Sequence, residues 1–587
     1  MRRRLLLTVA AMTLVTLVAA PVRAPAQEGE SIPEDIEELK EEIKTPVIAG
    51  DLGGSGSFGA SAQAADLAQA LQVGTNVQVS QDQDPAEVLR SGASELSVAA
   101  RGDMVVAGWN DGEGFAFAPF DPDQPPLGLS GYGFSNDNGD TWTDGGAPPI
   151  GSTVAFGPGT EGRSETGEYV TRGDPWLDVP RNGPATFYYA NLAVWTDDAD
   201  LPPAGVSLHT GQFDDSTFTW NDSVLLQSPN YPNDFLDKEA LAVDRRKGQT
   251  SIYVTLTNFE EVCDQPFFGF GTIELYGSTD GGSTWNRTII QPDESFITDP
   301  ADPDCGADGI VNQGSMPAVG PNGELYVVWE RGWFAPAAGG AELDRATVAF
   351  ASSTDQGATF SAPSEVTSLC SQAANAPAAY NRTSSNDFPR IAVSQSGPDK
   401  GRIYVTYHDC SAAEGDDAPF GADTDVYVTY SDDGGATWSE PTAVSPTADG
   451  VAQFWPAVST GAGGRVDVTY YHMEDVNLTE DPDDIECSVR TGGPLDDPDL
   501  KESTLTTLSD VYWVRSSDGG ATWGEPQRVT DTTTNWCAAT PINSIIPNFG
   551  DYNTHVTQGP TVFATWADGR NAGIVDRVPT AWFARAK

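Results

Sequence analysis

An eight-residue pattern, Ser-x-Asp-x-Gly-x-Thr followed by Trp or Phe, occurs five times along this chain. The copies are SNDNGDTW at 135–142, STDGGSTW at 278–285, STDQGATF at 353–360, SDDGGATW at 431–438 and SSDGGATW at 516–523. A motif recurring at near multiples of one length, in a chain rich in Val, Thr, Tyr and Gly, means similar β-units stacked side by side. Each copy also has a local mechanism. The Asp carboxylate accepts backbone N–H bonds within a tight turn, Gly supplies a positive φ, and the aromatic residue returns to the core. The gap between the first two copies is double-sized, and FDDSTFTW at 213–220 stands midway as a decayed copy that keeps Asp215, Thr219 and Trp220.

Between these tips, apolar alternation marks two strands before each turn and one after it, which predicts a four-stranded antiparallel sheet per unit. Innermost strands are predicted at 96–100, 176–179, 240–243, 317–319, 391–393 and 456–458. A seventh set follows the last tip, with strands at 552–556, 562–566 and 580–585, and the chain then ends one strand short. The segment NVQVS at 76–80 alternates correctly and is expected to complete that last sheet, closing a ring and removing its open edges. The fold class expected is all-β: a β-propeller of seven four-stranded antiparallel blades, with six blades as the alternative.

Arg2 to Arg4, an apolar run and Ala24-Pro25-Ala26 mark residues 1–26 as a secretory signal peptide. Residues 27–73, acidic and then Gly/Ser/Ala-rich, are expected to be a tether that cannot bury a core, leaving 74–587 as the propeller. The protein is expected to be secreted, monomeric and without a membrane span. Its 85 acidic residues against 31 basic ones exclude nucleic acid as a default partner, because phosphate recognition needs the opposite field. Six Cys in an exported chain suggest disulfides, and loop placement predicts the pairs Cys263/Cys305, Cys370/Cys410 and Cys487/Cys537, one of fifteen connectivities. No motif requires a cofactor. The acidic runs Asp299, Asp302, Asp304 and Asp308, and Asp416, Asp417, Asp423 and Asp425, offer hard oxygen ligands for a structural Ca²⁺, and the four His are too scattered for zinc.

The eight-residue pattern resembles the Asp-box, or BNR repeat, of the sialidase superfamily. This resemblance implies a sialidase-like propeller acting on an extracellular glycan or glycoprotein and, if catalytic, a glycoside hydrolase similar to exo-α-sialidases. Those catalytic domains are six-bladed, one blade fewer than counted here. They use a Tyr nucleophile activated by a Glu, an Asp acid/base and three Arg that clamp the substrate carboxylate. Tyr552, in GDYNTHV at the mouth of the last inner strand, and Glu239, opening an inner strand in DKEALAV, are the matching catalytic candidates. The Arg clamp is poorly matched, because the first inner strand reads Ser94-Glu95-Leu96-Ser97. Arg390 (in FPRI), Arg172, Arg331 and Arg570 are the substrate-binding candidates. The loops opposite the motif turns are long and are where binding is expected, while the motif turns themselves are structural. Two rival functions remain open: a non-catalytic propeller that binds glycan or protein, and a hydrolase or lyase of a neutral polysaccharide.

Overall fold

The structure, a computed structural model, describes residues 72–81, 92–112, 128–155, 167–196, 203–231, 233–246, 248–260, 269–297, 307–334, 346–369, 388–410, 424–447, 451–474, 508–536, 549–570 and 579–587. By backbone contact the chain divides into two units, Met1–Ala19 with Val73–Lys587, and Ala20–Gln72; of the second, only Gln72 is among the described residues. The expected signal peptide, nearly all of the tether and most of both acidic runs lie outside them. The disulfides expected from loop placement are not shown by the structure. Cys263, Cys305, Cys370, Cys487 and Cys537 lie outside the described residues, and of Cys410 only the backbone lies within them. The pairs Cys263/Cys305, Cys370/Cys410 and Cys487/Cys537 therefore stand as expectations from loop position alone. No helix among the described residues is long and apolar enough to cross a membrane.

Strands fall into seven sheets, each a blade. Blade 3 has the plain form, running from axis to rim as Phe235–Arg246, Gln249–Phe259, Thr272–Ser278 and Asn286–Gln291, antiparallel throughout. The inner strands of the other blades are Ala93–Arg101, Trp176–Asp178, Ala307–Val319, Arg390–Val393, Ala452–Gly461 and His555–Gln558. Blade 7 is completed as expected. Val77 and Gln78 pair antiparallel with Phe583 and Trp582, and Val73 bridges Ala586. Seven blades, rather than six, therefore close the ring.

Three blades are elaborated, blade 6 by the short strand Thr534–Asn535 on Leu508–Ser516. Blade 2 splits its inner edge into Tyr169–Thr171 and Trp176–Asp178, both on Phe187–Trp195, and gains a parallel outer strand, Val154–Ala155. Blade 4 gains Glu294–Ile297 beside its inner strand. The core is divided between blade pairs, since each sheet is covered on both faces. Ala99, Val106, Leu177 and Phe187 fill the space between blades 1 and 2, and Leu241, Val254, Val206 and Leu208 that between blades 2 and 3. This is why a strand such as IYVTL at 252–256 is buried at every position rather than at alternate ones.

All five complete motifs build one turn. The Ser hydroxyl donates to an Asp oxygen at 2.7–2.9 Å and accepts from the Gly N–H at 2.8–2.9 Å. The Thr hydroxyl donates to the same carboxylate at 2.6–2.7 Å. These Thr bonds hold the Asp355 and Asp433 carboxyls down to about 2. The decayed copy differs. Asp214 pairs directly with Thr217, so the tip is a tight hairpin turning on Asp215 (φ 53°), with Phe213 and Phe218 packed together instead of a carboxylate network.

Candidate functional site at the neck of the central channel

Inner strands of this fold enter from one face and run down the axis, so residues at their starts converge. In six blades that start is marked by a left-handed residue: Glu95 (φ 52°), Asp174 (54°), Lys238 (51°), Gly314 (70°), Trp455 (48°) and Gly550 (83°). In blades 1, 3, 4 and 6 a register shift accompanies it, the signature of a β-bulge that re-aims a side chain. Glycine is required at 550, where a Cβ would lie 2.5 Å from the Glu95 backbone nitrogen. Positive φ on Glu, Asp, Lys and Trp is strained, and such strain persists only where surrounding contacts impose it.

Those contacts are ionic. The Lys238 ammonium lies 2.9 Å from Glu95, 2.9 Å from Asp174 and 2.8 Å from Asp551, which joins blades 3, 1, 2 and 7 at one atom. All four groups are buried. Asn110 donates to Glu95 and accepts from the Asp174 N–H at 2.6 Å. Across the axis, the Arg390 guanidinium of blade 5 stacks 5.4 Å from the Tyr552 ring and 5.8 Å from the Trp176 ring, which themselves lie 5.6 Å apart. Tyr552 donates its hydroxyl to the Pro175 carbonyl at 3.4 Å. Glu239, 2 % exposed, follows Lys238, and among the described residues neither of its carboxyl oxygens has a hydrogen-bond partner. The Arg390 Nε is also unpartnered.

Burial sets the protonation of this neck. It pushes Glu239 well above the usual carboxylate range, with the Asp174 charge adding to the effect, and does the same to Glu95. Burial likewise raises Asp237 to about 6 and lowers Arg390 to about 10. Asp174 is the exception: burial alone would raise it, but the Lys238 charge wins and holds it below its ordinary value. Lys238 is also opposed by burial, yet Asp174, Asp551 and Glu95 hold its charge on well above the usual range. The neck thus sets carboxyls pushed up by burial beside one held down by Lys238, the separation of titrating groups on which acid–base chemistry depends.

Tyr552, Glu239 and Arg390, singled out in the sequence, come together here, and Glu239 is among the charges acting on the Tyr552 phenol. Arg172 lies two residues before Asp174, its N–H donating to the Leu192 carbonyl. Arg331 and Arg570 do not join them. Arg331 makes a two-pronged pair with Glu294 (2.8 and 2.7 Å), and Arg570 is held by Asp568 and Asn76 over the Trp582 ring. Glu95, Asp174, Lys238 and Asp551 escaped sequence reasoning. Their one shared signal is position, just ahead of an inner strand, as in the parallel Gly173-Asp174-Pro175-Trp176 and Gly550-Asp551-Tyr552.

Below the neck, a channel of about 1210 Å³ is lined by the inner strands of all seven blades, from Trp176 and Met316 down to the inner turns. Glu95, Lys238, Glu239 and Tyr552 do not border it. The predicted long loops on the neck side fall mostly outside the described residues. Among the described residues no cluster of His, Cys, Asp and Glu has the geometry to hold a metal ion.

No family model matches the chain, and no curated protein matches it. Solved structures do. A GH93 alpha-L-arabinofuranosidase of Fusarium graminearum is 13% identical with a TM-score of 0.37, covering 68% of this chain and 92% of that one. A protein of unknown function from Dyadobacter fermentans is 12% identical (TM-score 0.36), covering 88% and 99%, and a Trypanosoma rangeli sialidase is 13% identical (TM-score 0.35), covering 66% and 53%. Likeness at this level carries no functional argument. With seven sheets among the described residues and a ring closed by Val77–Gln78, the chain folds as a seven-bladed β-propeller.

Proposed function

We propose that the protein acts on a glycan as a glycoside hydrolase whose reacting groups are those of the neck, and that its substrate is neutral rather than a sialoside. The observation that carries this reading is the burial of Glu239 with neither carboxyl oxygen hydrogen-bonded among the described residues. A Tyr nucleophile of the sialidase kind needs an ionised Glu beside it to take the phenolic proton, whereas burial, with the Asp174 charge, pushes the Glu239 carboxyl well above its usual range and disfavours that form. A neutral, unpartnered carboxyl suits the opposite role, proton donor to a leaving glycosidic oxygen. Asp174 supplies the ionised carboxylate, and the free Arg390 Nε–H can bind a sugar hydroxyl. Five carboxyl groups against Lys238 and Arg390 make the neck a poor host for an acidic sugar.

The test is a panel of fluorogenic glycosides, α-L-arabinofuranoside, neutral hexosides and α-sialoside, with Glu239→Gln as the variant. Turnover of a neutral glycoside that falls by about 100-fold or more in Glu239→Gln is expected. Turnover of the sialoside alone would overturn the substrate assignment. A second reading rests on a separate observation: Tyr552 is 4 % exposed with its hydroxyl already bonded to Pro175, and Lys238 is saturated by three carboxylates. A neck so fully satisfied from within suits a scaffold, and polysaccharide retained without any turnover would make the protein a glycan-binding propeller.

A further inference from the structure

The far end of the channel has a different chemistry from the neck. Among the described residues, the charged ones on the channel wall are those of the inner strands and turns of blades 1 to 3, namely Arg101, Asp178, Arg181, Asp244, Arg245 and Arg246. Four guanidiniums face two carboxylates there, in a chain whose net charge is −54. Both carboxylates are already occupied. Asp244 pairs with Arg246, and Asp178 accepts the N–H groups of Val243 (2.6 Å) and Val179 (2.7 Å).

Of the other three arginines, two reach one turn and the third stands on it. Arg101 donates to the Pro180 and Gly183 carbonyls at 2.7 and 3.4 Å, which brings it from blade 1 onto the inner turn of blade 2. Arg245 comes from blade 3 and lies over Gly183, where a Cβ would sit 2.6 Å from its Nε, and it donates to the Gly248 carbonyl at 3.4 Å. Arg181 stands on that turn, exposed. Among the described residues none of the three makes an ion pair with a carboxylate within 4 Å. Arg101 and Arg245 bond only to carbonyls, and the charges of Asp178 and Asp244 act on Arg181 without offsetting the desolvation that lowers it, so the positive charge at this turn is not fully met from within.

We propose that Arg101, Arg181 and Arg245, around Gly183 at the open end of the channel, form a binding site for an oxyanion, the sulfate, phosphate or carboxylate group either of a glycan chain or of a free anion. Guanidinium forks match such groups in two-pronged geometry, which a lysine cluster would not do. The acidic surface does not cancel the site. At about 0.1 M salt, charges beyond roughly 10 Å are largely screened, whereas three guanidiniums at one turn act together on a bound anion. Gly183 (φ 82°) is the keystone, because a side chain there would displace Arg245. The site lies at the opposite end of the channel from the neck and holds whether or not the neck is catalytic.

Isothermal titration of the full chain with sodium sulfate, sodium phosphate and trigalacturonate, beside neutral maltotriose, tests it. The wild-type protein is expected to bind at least one of the three anions, and both Arg181→Ala and Arg245→Ala to weaken that binding by tenfold or more. Arg181 is exposed and packs in no core, so its variant remains folded, as an unchanged melting temperature without ligand would verify. Trigalacturonate binding tighter than sulfate identifies a chain-borne carboxylate, and the reverse a free anion. Absence of binding by all three anions at millimolar concentration, or affinities unchanged in both variants, would overturn the proposal.

Discussion

Lys238 is the residue on which the centre of this propeller turns. Its ammonium binds carboxyl groups from three other blades, and its own left-handed backbone is held by them. Replacing it with Met keeps the stem and removes the charge, leaving Glu95, Asp174 and Asp551 facing one another out of water. A loss of about 3–5 kcal/mol is expected, the range found when one partner of a buried ionic group is deleted, and urea unfolding of Lys238→Met would measure it. An unchanged midpoint would mean that the carboxylates simply take up protons at no net cost. Tyr552→Phe contrasts with this. It deletes one long hydrogen bond while keeping the ring against Trp176 and Arg390, so less than about 1 kcal/mol should be lost. Any loss of activity in that variant is therefore chemical rather than structural.

At the scale of the element, the Ser-x-Asp turn explains its own recurrence through the blade beside it. In three of the five motifs a Cβ on the glycine would strike the preceding blade: Gly139 meets Phe583 at 2.1 Å, Gly357 meets Leu275 at 2.4 Å and Gly435 meets Phe350 at 2.2 Å, whereas Gly282 and Gly520 have room. In those three the glycine is thus demanded twice, by positive φ and by the neighbour. Gly434, one residue earlier, has positive φ (77°) but open space around it. Gly434→Ala is expected to cost about 1–2 kcal/mol, the left-handed penalty alone, and Gly435→Ala about 3 kcal/mol or more, because overpacking against Phe350 is added. Thermal unfolding of the two variants separates these terms, and equal losses would show that the turn does not press on its neighbour.

For the whole molecule, buried titrating groups predict where stability is greatest. Burial raises Glu95 and Glu239 well above their ordinary range, Asp178 and Asp237 to about 6 and Glu260 to about 7. These groups keep protons that the unfolded chain has lost, so their contribution is full below about pH 4 and declines as pH rises through the folded values. His209, His408 and His555 are pushed down to about 4 by burial. Their contribution is full above about pH 6.5 and is lost as pH falls through 4. The carboxyls outnumber the imidazoles, and lowering pH also relieves the self-repulsion of a chain at −54. The melting temperature is therefore expected to be higher at pH 5 than at pH 7.5. Calorimetry giving the opposite order would show that the imidazoles dominate.

Local rules were enough for the repeat, the strands, the seventh blade and the closing strand at Val77–Gln78, because turn chemistry and alternation act within a few residues and leave their mark in order. Tyr552, Glu239 and Arg390 were legible for a similar reason, each standing at the head of an inner strand. What the linear chain did not contain was which charges meet. Glu95 and Asp551 are far apart in sequence and unremarkable in their local segments, and only ring closure carries them to Lys238. The same closure buries Glu239, which pushes its carboxyl well above the usual range, a shift that no local segment shows. It also sends Arg331 and Arg570 to partners in and beside their own blades, while Arg101, Arg181 and Arg245 meet at an end of the channel that the sequence had marked as structural. Strand identity is local, but electrostatic environment is a property of the closed ring, since burial and neighbouring charge depend on every blade at once.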